Sequence, residues 1–158
     1  VVFFGGRISG LKGAEKINQS MELVKKEFPE AVLLVAGTSG VGWLSGDSLK
    51  AAYSAADVVA TPSIYLDPFN RINIEAMACK KPVVGTCFGG TPEIVKDGVT
   101  GFIVNPMDTE LMAQKIIDLL KNQEKAKQFG EAGCERVKKY FNLNTCISQN
   151  LAWYQKYI

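Results

Sequence analysis

Short runs of β-branched and aliphatic residues alternate along this chain with longer stretches whose apolar residues recur every three or four positions. The short runs fall at residues 1–4, 31–36, 41–44, 58–61, 82–85 and 101–104. They are apolar throughout and do not alternate with polar residues, as expected of strands covered on both faces. Between them, residues 14–28 carry Ile17, Met21, Val24 and Phe28 on one helical stripe, closed by Pro29. Residues 49–56, 70–79 and 92–95 read as further helices. The last third is helical: Asp108 caps a helix bearing Leu111, Met112, Ile116, Leu119 and Leu120. Residues 123–140 form a second helix, with Ala126, Phe129, Gly133, Val137 and Tyr140 on one stripe, and a third runs from about Thr145 to the end. Strand and helix in alternation predict an α/β fold, a Rossmann-like parallel sheet with helices on both faces. A length of 158 residues fits one domain, 1–158, without repeats or linkers.

A hydrophobic content of 47% is enough for a packed core, and a net charge of +2 gives no global attraction to nucleic acid. No apolar run reaches the roughly 20 residues of a membrane helix. The chain has no His, which excludes Ser-His and Cys-His nucleophilic machinery within it. Its four cysteines, Cys79, Cys87, Cys134 and Cys146, form no Cys-x-x-Cys pair. They are expected to be small, buried apolar residues of a reduced, cytoplasmic protein, and no metal site is expected. Residues 1–4 carry no basic leader and no initiator Met, so a piece of a longer protein is expected.

Three loop segments can carry chemistry. Gly5-Gly6-Arg7-Ile8-Ser9-Gly10-Leu11-Lys12-Gly13 joins a strand to a helix. Its glycines let backbone approach a ligand, and two cations stand where a helix start favours an anion. Leu11 stands where a phosphate loop requires Lys, and no Gly-x-Gly-x-x-Gly is present, so neither nucleotide fingerprint fits. The second segment, residues 62–78, places Asp67 in a loop beyond a strand end and Glu75, eight positions on, inside the following helix. The third, Phe88-Gly89-Gly90-Thr91-Pro92-Glu93-Ile94, is again a strand-to-helix junction with paired glycines. Taken singly, each is equally a turn with solvated charges.

Taken in order, the three segments resemble the C-terminal domain of the family 4 (group 1) glycosyltransferases, enzymes of two-domain GT-B architecture that take a sugar from a nucleotide diphosphate. Gly6-Arg7 with Lys12-Gly13 resembles the family's diphosphate-binding Arg and Lys. Pro62-Ser63, Asp67-Pro68-Phe69 and Glu75-Ala76-Met77-Ala78 resemble its acidic motif, two Glu separated by seven residues. Pro82-Val83-Val84, Gly89-Gly90, Pro92-Glu93-Ile94-Val95 and Gly98-x-x-Gly101-Phe102 match the stretch that follows.

The resemblance implies the donor-binding domain of a retaining glycosyltransferase, with the N-terminal acceptor domain absent and this fragment inactive alone. It implies that Arg7 and Lys12 neutralise the donor diphosphate, that Glu75 accepts ribose hydroxyls, and that Asp67 contacts the transferred sugar. Gly6 lies beside the diphosphate, Phe69 and Asn70 offer backbone N–H groups to the sugar, and Ile72, Asn73 and Ile74 lie near the phosphates. No cofactor or divalent metal is implied, since two cations are available and no Asp-x-Asp is present. The implied partners are a nucleotide-sugar donor and a sugar or glycolipid acceptor held by the missing domain. The full-length protein would then be cytoplasmic and peripheral to the membrane.

Four features depart from the family pattern: Asp67 replaces a Glu, Asn70 replaces a Gly, and Lys80-Lys81 replaces a small residue. The stretch between Gly37 and Leu49 is also short, because the family places another helix there. Three alternatives stay open: a GT-B nucleotide-sugar epimerase; a non-catalytic nucleotide-sugar binding module, which Asp67 and Asn70 motivate; and a plain dinucleotide-binding domain, weakened by the missing glycine pattern.

Overall fold

The computed structural model describes residues 1–7 and 9–157. Its strands are β1 (Val2–Gly6), β2 (Leu33–Gly37), β3 (Val58–Thr61), β4 (Val83–Thr86) and β5 (Gly101–Val104). All pair in parallel, in the order β2-β1-β3-β4-β5. Val2 stands beside Leu33 on one side and Val58 on the other, and Val83 stands beside Val59 and Gly101. The helices are α1 (Ala14–Glu27), α2 (Gly46–Ala55), α3 (Arg71–Ala78), α4 (Thr91–Ile94), α5 (Thr109–Lys121), α6 (Gln123–Tyr140) and α7 (Leu143–Tyr154).

The two faces of the sheet are filled by alternate residues of the same strands. Val2, Phe4, Val58, Ala60, Val84 and Val104 meet Ile17, Met21 and Val24 of α1 and Met112, Ile116 and Leu119 of α5. On the opposite face Phe3, Val59 and Val83 meet Tyr53 of α2, Met77 of α3 and Ile94 of α4. The period of two explains why both sets must be apolar. Each fully buried Val, Ile, Leu or Met contributes about 1.5–3 kcal/mol.

α6 packs on α3 and on the turn that follows it through two glycines. A Cβ on Gly130 would stand 2.0 Å from the Lys80 carbonyl oxygen, and one on Gly133 would stand 3.0 Å from Met77 Cγ. The Gly133 stripe expected from the sequence therefore faces inward, but its last member, Tyr140, is exposed. No residue of α7 is buried. That helix begins at Leu143, capped by Asn142, and ends before the final residue, which lies outside the described residues.

Residues 41–44, expected as a strand, form a loop. Gly40 and Gly42 hold φ values of 68° and 80°, a left-handed backbone incompatible with a sheet ladder. Instead the Val41 N–H donates to the Val35 carbonyl, folding the segment back on the end of β2. α2 starts three residues earlier than expected, because Ser45 and Ser48 form a reciprocal cap at its start. The cysteines also differ from expectation: Cys134 is buried, Cys79 is half-buried, and Cys87 and Cys146 are exposed.

Candidate functional site

Chain order reverses at β1. The chain leaves β1 toward β2 on one side, and β3 to β5 fill the other. Ligands of open α/β sheets bind beyond the strand ends at such a switch point. A cavity of about 630 Å³ opens there. The ends of β1 and β2 contribute Gly5, Gly6, Ala36 and Gly37, and the loops beyond β1 and β3, with α2 and α3, contribute the polar groups.

Of the residues singled out in the sequence, Gly6, Arg7, Lys12, Asp67, Phe69, Asn70, Ile72 and Glu75 line this cavity. Asn73 and Ile74 do not. Asn73 is fully buried, accepting from the Thr61 hydroxyl at 2.8 Å and donating to Thr91 Oγ1 at 3.2 Å. It ties β3 to α4 and offers no side-chain group to a ligand. Ile74 packs with the core on the α3 side of the sheet.

Lys12 and Asp67 meet directly. Lys12 ends a 3-10 turn (Gly10–Lys12) just ahead of α1, and its Nζ donates to Asp67 Oδ2 at 2.5 Å. The Asp67 side chain is 9% exposed and that of Lys12 20%. Burial alone pushes the ammonium down and the carboxyl up. Their hydrogen bond and mutual attraction, with Tyr65 adding to both, reverse the outcome: Lys12 is held above its ordinary value and Asp67 below. The Tyr65 ring lies 5.3 Å from Lys12 Nζ. Asp67 Oδ1 also accepts a long bond from the Phe69 N–H at 3.4 Å, so that amide is turned back on its own loop. Arg7, by contrast, is exposed and has no hydrogen bond or ion pair among the described residues.

The three segments are knitted together by backbone. The Ile64 N–H donates to the Leu11 carbonyl at 2.9 Å, clasping the first loop to the second. The Gly90 N–H donates to the Asp67 carbonyl at 2.8 Å. A Cβ on Gly89 would stand 2.2 Å from that same oxygen, and one on Gly90 the same distance from the Pro68 carbonyl oxygen. The paired glycines thus bring backbone close to the Asp67-Pro68 loop rather than to the cavity, which they do not line.

Glu75 sits in the second turn of α3, half-buried, and its Oε2 accepts the Tyr53 hydroxyl at 2.8 Å. Tyr53 was not visible as a site residue in the sequence, although Leu49 and Tyr53 stand four apart on one helix face. Arg71, Trp43, Leu44 and Tyr65 also line the cavity without having been singled out. Arg71 opens α3 at its first position and is exposed.

In sequence and fold the chain is similar to known glycosyltransferases. A family model, glycosyl transferases group 1, matches residues 38–136, and the chain belongs to that family. The alpha-maltose-1-phosphate synthase of Mycolicibacterium smegmatis is 32% identical across 99% of this chain and 48% of its own length. Among solved structures, sucrose-phosphate synthase from Thermosynechococcus elongatus superposes with a TM-score of 0.84 at 27% identity, covering 98% of this chain and 45% of that one. Anabaena HepE in complex with UDP-glucose superposes at 0.86 and 23% identity, over 99% of this chain and 49% of that one. The expected fold, a Rossmann-like α/β domain of a GT-B glycosyltransferase, is the fold found. The chain spans about half the length of the curated relatives it matches. The match to the synthase runs over 185 positions, more than this chain has, so the relative carries residues with no counterpart here. Among the described residues, no helix is long and apolar enough to cross a membrane.

Proposed function

We propose that this chain is the donor-binding half of a retaining glycosyltransferase, and that the cavity between the β1, β2 and β3 ends takes a nucleotide-diphosphate sugar. One observation carries the reading: both cations and both carboxylates expected at such a site line a single cavity. Lys12 gives one N–H to Asp67 and keeps two more for phosphate oxygens. Arg7, unpartnered among the described residues, supplies a second charge, so the leaving diphosphate is neutralised without a divalent metal. Asp67 orients Lys12 and faces the transferred sugar, while Glu75 accepts the ribose hydroxyls. In the transfer, an acceptor hydroxyl oxygen bonds to the anomeric carbon as the sugar–phosphate bond breaks. The diphosphate leaves with the electron pair and takes up the hydroxyl proton. The acceptor, a sugar or glycolipid, is held by a second domain, and this chain alone binds donor without turnover. HepE, whose structure holds UDP-glucose, supports the donor class through fold.

The test is calorimetric titration with uridine, adenosine and guanosine diphosphates, their sugar conjugates and the bare nucleosides. Arg7→Ala and Lys12→Ala should each weaken diphosphate binding roughly 10–100-fold, the worth of a charge-assisted hydrogen bond, and leave nucleoside binding nearly unchanged. Affinity should be the same in EDTA and in magnesium. Equal losses for nucleoside and diphosphate defeat the residue roles, and a tenfold loss in EDTA defeats the metal-free mechanism.

A further inference from the structure

We infer that Tyr53 is a positioning residue that fixes Glu75 for recognition of a vicinal diol, so that the site distinguishes ribonucleotides from nucleotides lacking ribose hydroxyls. The inference rests on the donor-binding reading above and extends it to a residue from a different helix. Tyr53 is 2% exposed, and its ring stands edge-on to Phe3 at 5.0 Å between centroids. This packing holds the ring in place, and its hydroxyl donates to Glu75 Oε2, 2.8 Å away. Burial, and then the bond to Glu75, push the Tyr53 hydroxyl far above its ordinary range, so it stays protonated and remains a donor.

The consequence falls on Glu75. A free Glu on a helix surface samples many rotamers, and a ligand that binds it must select one. Here one carboxylate oxygen is already engaged from beneath, and the other is left to accept. A half-buried carboxylate held in this way accepts hydroxyl protons and repels other acceptors. Two adjacent ribose hydroxyls fit that demand, and a dideoxyribose leaves the carboxylate without a donor. Tyr53 touches no ligand in this scheme. It acts through Glu75, across the junction between α2 and α3.

The experiment is Tyr53→Phe, which keeps the ring and its contact with Phe3 and deletes one hydroxyl. Binding of whichever of uridine, adenosine or guanosine 5′-diphosphate the wild-type chain binds should weaken about five- to tenfold. Binding of the matching 2′,3′-dideoxynucleoside diphosphate should be unchanged, and in a Glu75→Ala background Tyr53→Phe should add no further loss. Thermal melts serve as the control for folding. Equal losses for the ribose and dideoxy ligands, or an undiminished loss in the Glu75→Ala background, overturn the positioning role while leaving the donor reading intact. Failure of the wild-type chain to bind any of the three diphosphates overturns the donor reading and this inference with it.

Discussion

Replacing Asp67 by Asn removes one charge from the Lys12 pair at almost constant volume. An exposed ion pair is worth about 0–1 kcal/mol, and stripping one partner from a fully buried pair costs about 3–5 kcal/mol. The Lys12–Asp67 pair, with side chains 20% and 9% exposed, lies between these limits. A loss near 2 kcal/mol is expected, which in a chain of this size lowers Tm by roughly 4–8 °C. The pH dependence is the sharper signature. Asp67 is held below its ordinary value, so its contribution is complete above the unfolded carboxylate value near ~3.9 and lost as pH falls through the folded one. Lys12 is held above its ordinary value, so its contribution is complete below about 10.4 and lost as pH rises through the folded value. The gap in Tm between wild type and Asp67→Asn should therefore be level from about pH 5 to 9 and close at both extremes. Differential scanning fluorimetry across that range measures it. A gap below about 1 °C at neutral pH, or one that persists unchanged in strong acid where Asp67 is protonated, refutes the reasoning.

Gly130→Ala would place a methyl 2.0 Å from the Lys80 carbonyl oxygen, so α6 must lift off the turn that follows α3. A loss of about 1–3 kcal/mol in urea unfolding is expected, and an unchanged midpoint would count against that packing. α7 buries none of its residues and leaves Leu143, Ile147, Leu151 and Trp153 exposed. Its amides should exchange with deuterium orders of magnitude faster than those of buried α5, and matching protection in a proven monomer would contradict this.

Much of the architecture was legible because both the strands and the helices announce themselves by period. The 101–104 strand and the 123–140 helix fall where the sequence puts them. The failures have physical causes. Val41 to Leu44 carries strand-like residues, but Gly40 and Gly42 set a left-handed backbone that no ladder accepts. Asn73 lies inside the motif that resembles a ligand site, yet a polar residue on a helix can face inward when Thr61 and Thr91 satisfy it. Tyr53 carries no signal of its own in the sequence, and its ring is a core aromatic. Its hydroxyl matters only because folding brings Glu75 within reach from 22 residues away. The pairing of Lys12 with Asp67 was hidden for the same reason: each was visible as a charge, while their contact depends on the clasp between two loops.

The backbone seating of Gly89 and Gly90 against Asp67 and Pro68 braces one end of the cavity wall from behind and leaves the other end without such a brace. On the Asp67 side, loop rests on loop with no room for a methyl group, so neither segment can change length or direction alone. The end near Trp43 is different: Cβ atoms on Gly42 and Gly46 would meet nothing within 4 Å, and Trp43 stands 67% exposed at the rim. The glycines there are held by left-handed backbone, and a Cβ on Gly40 would stand 2.1 Å from the Val35 carbonyl oxygen, but the side chain of Trp43 itself is not packed into the core. Replacing the exposed Trp43 side chain therefore changes the cavity rim at little cost in packing, whereas the Lys12 and Asp67 end is held by direct contact. Recognition can diversify at one end of the cavity without disturbing the charges at the other.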